Sequence, residues 1–84
     1  MPAAAVPLLR LHPDDDVAVA RRRLLPGENL AGLVVRDAVP AAHKVALRDL
    51  PAGAPVRKYG QFIGRAAVAI PAGAHVHTHN LVPG

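Results

Sequence analysis

Nine prolines and seven glycines interrupt this 84-residue chain every few positions, a spacing that excludes long helices. Proline removes a backbone donor and crowds the preceding turn, while glycine marks tight bends. Between these breakers lie short β-branched or aliphatic runs: Val6 to Leu11, Val17 to Ala20, Leu33 to Val35, Val45 to Leu47, Phe62 to Ile63, Ala67 to Ile70 and Val76 to Thr78. Short strands separated by turn signals predict a small all-β fold. Asp14 to Leu25 has a helix-like charge layout, acidic first and basic last. Its Val17-Ala18-Val19-Ala20 centre alternates large and small residues, however, and reads as a strand.

One turn recurs. Leu50-Pro51-Ala52-Gly53-Ala54-Pro55-Val56 returns as Ile70-Pro71-Ala72-Gly73-Ala74-His75-Val76, and Val39-Pro40-Ala41-Ala42-His43-Lys44-Val45 follows the same outline with Ala in the glycine position. Each unit joins an aliphatic residue, a φ-fixing proline and a small turn to a β-branched residue entering a strand. The repeat predicts a folded-over β ribbon rather than a solenoid, which needs a longer period.

Eighty-four residues make one domain, spanning 1–84 with its motifs between 14 and 80. Tyr59 and Phe62 are the sole aromatics, so the core is aliphatic and thin, and burial against a partner would stabilise it. Absence of cysteine excludes disulfides and thiolate metal sites and fits a cytoplasmic location. No run approaches the roughly 18 apolar residues of a membrane span, and the first eleven residues lack the layout of a signal peptide. The formal charge of +4 comes from scattered basic residues without an aromatic platform. That argues against nucleic acid and favours small anions such as carboxylates.

The densest chemical signal is His75-Val76-His77-Thr78-His79-Asn80. In a strand, His75, His77 and His79 would share a face with neighbours about 6.6 Å apart, close enough for two imidazoles to meet one metal. The outer pair, at about 13 Å, would need a bend. The alternative is an exposed polar edge. His43-Lys44 follows one turn and Lys58-Tyr59-Gly60 another, places suited to a proton-transfer group and a carboxylate anchor, or simply to a solvated surface. Arg21-Arg22-Arg23 reads as a solvated strand end, and Asp14-Asp15-Asp16 as turn chemistry. The chain has no Ser or Cys and a single Thr, Thr78, which argues against nucleophilic hydrolysis within this chain.

Taken in order, Asp15-Asp16-Val17-Ala18-Val19-Ala20, His43-Lys44-Val45-Ala46-Leu47, Lys58-Tyr59-Gly60 with Ile63-Gly64, and Gly73 through Asn80 resemble the N-terminal SAF-type domain of the altronate and galactarate dehydratase family. One departure is Ala42, where the family usually places Gly before the His-Lys pair.

The resemblance implies a small β-clip fold and a hydro-lyase for anionic hydroxylated sugar acids, working with a divalent metal, Fe2+ or Mn2+, bound mainly in complex with a large catalytic subunit. For that chemistry His43, His77 and His79 are the candidate catalytic residues, His77 and His79 acting at a metal or as acid-base groups, and Lys44, Lys58, Tyr59 and Asn80 are the candidate substrate contacts. The Met1 start and Pro83-Gly84 end favour a natural small subunit over a piece of a longer chain. Sulfolactate sulfo-lyase is similar in pairing such a domain with a larger subunit, with sulfite as leaving group. A non-catalytic carbohydrate- or protein-binding module of the SAF type stays open, as does a homo-oligomer.

Overall fold

A computed structural model of the protein describes residues 6–84; the part of the expected 1–84 domain that precedes Val6 lies outside the described residues. Among the described residues nine short strands make up the regular structure: β1 (Leu8–Leu9), β2 (Val17–Ala20), β3 (Asn29–Leu30), β4 (Leu33–Val34), β5 (Lys44–Ala46), β6 (Pro55–Lys58), β7 (Gln61–Ala66), β8 (His75–Val76) and β9 (Leu81–Val82). No helix occurs among the described residues, and so none long and apolar enough to cross a membrane. The all-β expectation is met.

The strands form three antiparallel sheets, ordered β1-β2-β5-β8, β3-β4 and β6-β7-β9. Both faces of the four-stranded sheet are covered. Val17, Ala46 and Val76 join Leu50, Val56, Ala66, Ile70 and Ala74 on one side. Ala18, Ala20 and Val45 join Leu24, Leu30, Val35 and Val39 on the other. Alternation along β2 therefore feeds two small cores rather than one core and solvent.

The recurring turn organises this arrangement, and it occurs once more than the sequence suggests. Leu25–Glu28, Pro40–His43, Pro51–Ala54 and Pro71–Ala74 each close with a bond from the last residue's N–H to the first residue's carbonyl. The third position has positive φ in all four: Gly27 at 91°, Ala42 at 69°, Gly53 at 81° and Gly73 at 86°. That is the type II requirement. The same third residue also donates its N–H to a distant carbonyl, of Val35, Ala20, Ala66 and Ala46 respectively. Aliphatic residues before the turns meet in pairs, Leu24 with Val39 and Leu50 with Ile70. The ribbon is thus stitched at its turns.

Several strand expectations need correction. Val6 to Leu11 shrinks to β1, because the chain there is an exposed edge. Ala67 to Ile70 is not a strand: Val68 is 55% exposed and only Ile70 makes a bridge. Val76 to Thr78 ends at Val76, and the residues beyond it bend and turn. Conversely, β3 and β6 form where the sequence offers no alternation. The β6–β7 hairpin turns through Tyr59 and Gly60, both at positive φ (56° and 76°), as a two-residue hairpin of type I′ demands. Ile63 is an extra residue in β7, opposite the step from Val56 to Arg57. This bulge allows Ile63 as well as Ala66 to face the same core.

Candidate functional site

Two separated segments bring the histidines together. His43 closes the Pro40 turn, and its position depends on Ala42 holding the left-handed conformation that glycine adopts in the sister turns. His75 lies opposite Val45 in the β5–β8 ladder, so it emerges beside the start of β5. The expectation of one straight strand carrying His75, His77 and His79 is not met. The strand stops at Val76, His77 sits in a bend and His79 in an exposed turn.

The bend draws the rings inward. Nδ1 of His43 lies 2.9 Å from Nε2 of His75, a hydrogen bond between one protonated and one bare nitrogen. The His77 ring stacks on His43 at 4.2 Å and lies 5.6 Å from that of His75. His79 reaches back to 5.2 Å from His75. His43, His75 and His77 each offer a ring nitrogen within 4.8 Å of the other two. Metal–nitrogen bonds of about 2.0–2.1 Å in a tetrahedral set separate ligand nitrogens by roughly 3.4 Å. Small ring rotations would therefore fit three imidazoles to one divalent ion. His79, an expected ligand, is outside that set.

Burial first, then the neighbours His43, His79 and His77, hold His75 below the ordinary imidazole range, against an opposing pull from Asp37. Loss of hydration, followed by His43, Lys44 and His79, does the same for His77. Neutral rings with free lone pairs are the form that a metal or a transferable proton requires. Lys44, first residue of β5, is half-buried; burial and then the charge of Lys58 depress its pKa. The chain's only two lysines therefore share one region.

Lys58 ends β6, and its ammonium lies 5.0 Å from the centre of the Tyr59 ring. Among the described residues no hydrogen bond or ring contact joins Tyr59 to the imidazoles. Asn80, expected at the substrate, is only 7% exposed, and both ends of its amide are engaged. Its Oδ1 accepts from the His77 N–H at 3.0 Å, and its Nδ2 donates to the His75 carbonyl at 2.9 Å.

Sequence reasoning overlooked Asp37, whose carboxylate accepts the His75 N–H at 2.9 Å. Nothing in its local sequence marks it, since its partner lies 38 residues away. It also treated Asp15 and Asp16 as turn residues, whereas both are buried. Asp16 accepts from the Arg57 N–H at 2.8 Å and from Arg48 Nε at 2.6 Å. Asp15 accepts from the Gly60 N–H at 2.7 Å. Burial works against the Asp15 charge, but N–H groups of Gly60, Tyr59 and His12 outweigh it and hold its pKa low. The two aspartates thereby fix the hairpin that carries Lys58.

A cavity of about 830 Å³ is lined by Arg10, His12, Asp14, Arg48, Arg57 and Gly60 among others, and contains none of the clustered histidines. The chemistry points to the imidazole and lysine cluster instead, because ring nitrogens able to hold an ion gather there, whereas in the cavity Arg48 is already paired with Asp16.

The profile of the altronate/galactarate dehydratase SAF domain matches residues 6–83. Altronate dehydratase of Escherichia coli (strain K12) is 42% identical over 76 residues, covering 86% of this chain and 15% of that protein. Galactarate dehydratase (L-threo-forming) of the same strain is 37% identical over 71 residues, 81% of this chain and 14% of that protein. (2R)-sulfolactate sulfo-lyase subunit alpha of Chromohalobacter salexigens is 49% identical over 47 residues, 56% of this chain and half of that subunit. The chain thus spans about 15% of the length of the dehydratases that it matches.

Proposed function

Because this chain belongs to the family of altronate/galactarate dehydratase SAF domains, we propose that it is the small subunit of a two-chain hydro-lyase acting on hydroxylated sugar acids. A larger catalytic chain completes the site. The observation that carries this reading is the gathering of four of the five histidines and the only two lysines. Among the described residues Asp37 is the acid that meets that cluster, at His75. Such a surface attracts an anion and offers neutral bases.

Removal of water next to a carboxylate needs an anchor for the carboxylate, a base for the acidic C–H proton and stabilisation of the departing oxygen. Lys44 and Lys58 anchor the carboxylate, held in place by β5 and by the Asp15–Asp16 latch on the hairpin. His79, exposed and outside the three-ring group, is free to accept or return a proton. His43, His75 and His77 would hold a divalent ion such as Fe2+ or Mn2+, which supplies Lewis-acid stabilisation of developing negative charge when bound. Tyr59, on the hairpin tip, faces the substrate only once the partner is in place.

The subunit naming of the sulfo-lyase relative supports a two-chain arrangement and favours a second reading, in which sulfite leaves instead of water. The same reading places the complex in the cytoplasm. Co-production with a candidate large chain of the same family, followed by assays of altronate and galactarate dehydration and of sulfite release from sulfolactate, decides between them. Product from a sugar acid supports the hydro-lyase, sulfite supports the second reading, and a stable complex inactive on all three contradicts both.

A further inference from the structure

Three backbone groups of the histidine segment are held by side chains rather than by sheet pairing alone. Asp37 accepts the His75 N–H, Asn80 Nδ2 donates to the His75 carbonyl, and Asn80 Oδ1 accepts the His77 N–H. Asn80 is itself pinned: its N–H and that of Leu81 both donate to the His77 carbonyl, and its own carbonyl accepts from Ala67. Beneath the segment, Val76 is fully buried in the core. The bend at His77 is therefore a closed loop tied to its own first residue. In an extended strand His77 would continue away from the β5 edge; in the observed bend its ring stacks on His43 at 4.2 Å.

We infer that Asn80 is the positioning residue that builds a three-imidazole divalent-metal site from His43, His75 and His77, assisted by Asp37, and that His79 stays outside the ligand set. The inference rests on the metal-holding role proposed above for these rings, and gives Asn80 a task other than touching substrate. The oxygen and the nitrogen of its amide are each already engaged by the loop, and the residue is only 7% exposed. Outer groups that fix ligand orientation typically contribute 10- to 100-fold in metal affinity.

The test uses the chain alone with Co2+ as probe, whose visible absorption reports ligand number and geometry. The wild-type chain should bind one Co2+ with the intense bands of low coordination. Asn80→Ala should weaken binding by roughly 10- to 100-fold and alter the spectrum, with far-ultraviolet circular dichroism unchanged. If Asn80→Ala does not fold, Asn80→Asp, which keeps the acceptor for His77 and loses the donor to His75, should give a smaller loss of the same kind. Asp37→Asn should weaken binding less than Asn80→Ala, and His79→Ala should leave affinity and spectrum unchanged. Wild-type affinity and spectrum in both Asn80 variants would overturn the inference, as would loss of binding in His79→Ala. A wild-type chain that binds no Co2+ would overturn it too, while leaving the lysine anchor and the acid-base reading to the two-chain assay.

Discussion

Nδ1 of His43 and Nε2 of His75 lie 2.9 Å apart, although 32 residues separate them in the chain. One β-ladder and one left-handed alanine bring this about, so the site inherits the precision of the fold rather than of a loop. Its disturbance should be visible in the chain without substrate.

The first prediction concerns Ala42. At φ 69° it occupies a conformation that favours glycine, and its three sister positions are glycines. Left-handed backbone costs a residue with a Cβ about 1–2 kcal/mol, part of which glycine loses again through unfolded-state entropy. Ala42→Gly should raise stability by up to about 1 kcal/mol, and Ala42→Val should lower it by more than that; urea midpoints measure both. Lower stability in Ala42→Gly would contradict the turn assignment.

Asp16 gives the second. Its carboxylate is buried, whereas the Arg48 side chain that it pairs with is 56% exposed. Removal of Asp16 therefore lets Arg48 rehydrate but strands the Arg57 N–H, a loss of about 1–3 kcal/mol. Asp16→Ala should show that loss in urea unfolding, and its Lys58 and Tyr59 amides should exchange hydrogen faster. Unchanged exchange in the hairpin would refute the latch.

A third follows from His75, whose pKa burial and the neighbouring imidazoles depress. The unfolded chain then binds the proton more readily than the folded one, so stability is complete above the ordinary imidazole pKa of about 6.5. It falls as pH drops through that value toward the folded pKa. Metal-free wild type should lose urea resistance between about pH 7 and 5, and His75→Gln should lose less. Equal slopes for the two proteins would contradict the depressed pKa.

Glu28 supplies a separate acid window. The hydrogen bond from Arg22, then the Leu25 N–H, bring its pKa down to about 2 from an ordinary 4.5. Its stabilising contribution is present above pH 4.5 and disappears as pH falls toward 2. Glu28→Gln should be less stable than wild type at neutral pH and converge with it near pH 2. A constant gap across that range would show that the pair does not titrate with folding.

Much of this was legible in the chain itself. Pro and Gly spacing revealed the all-β class, the matched Pro-Ala-Gly units revealed the turn device, and alternation in Val17–Ala20 revealed β2. The fourth turn escaped notice because Leu25-Pro26-Gly27-Glu28 replaces small residues with a charged one. Ala67 to Ile70 has strand-like composition but pairs only at Ile70, with Leu50, a tertiary fact. For the site, the histidines and lysines were identifiable by type. Their convergence was not, since it depends on Asn80 and Asp37 bonding to backbone 3, 5 and 38 residues away.

The most direct measurement is a domain exchange in the Escherichia coli altronate dehydratase, 76 residues of which align with this chain at 42% identity. Replacing that aligned segment with residues of this chain should give an enzyme that dehydrates altronate. Separate His77→Ala and Lys58→Ala changes should each lower its kcat/KM by at least roughly 100-fold, the scale of a lost acid-base or electrostatic group. A folded chimera whose turnover survives both substitutions would contradict the claim that this domain supplies part of the active site.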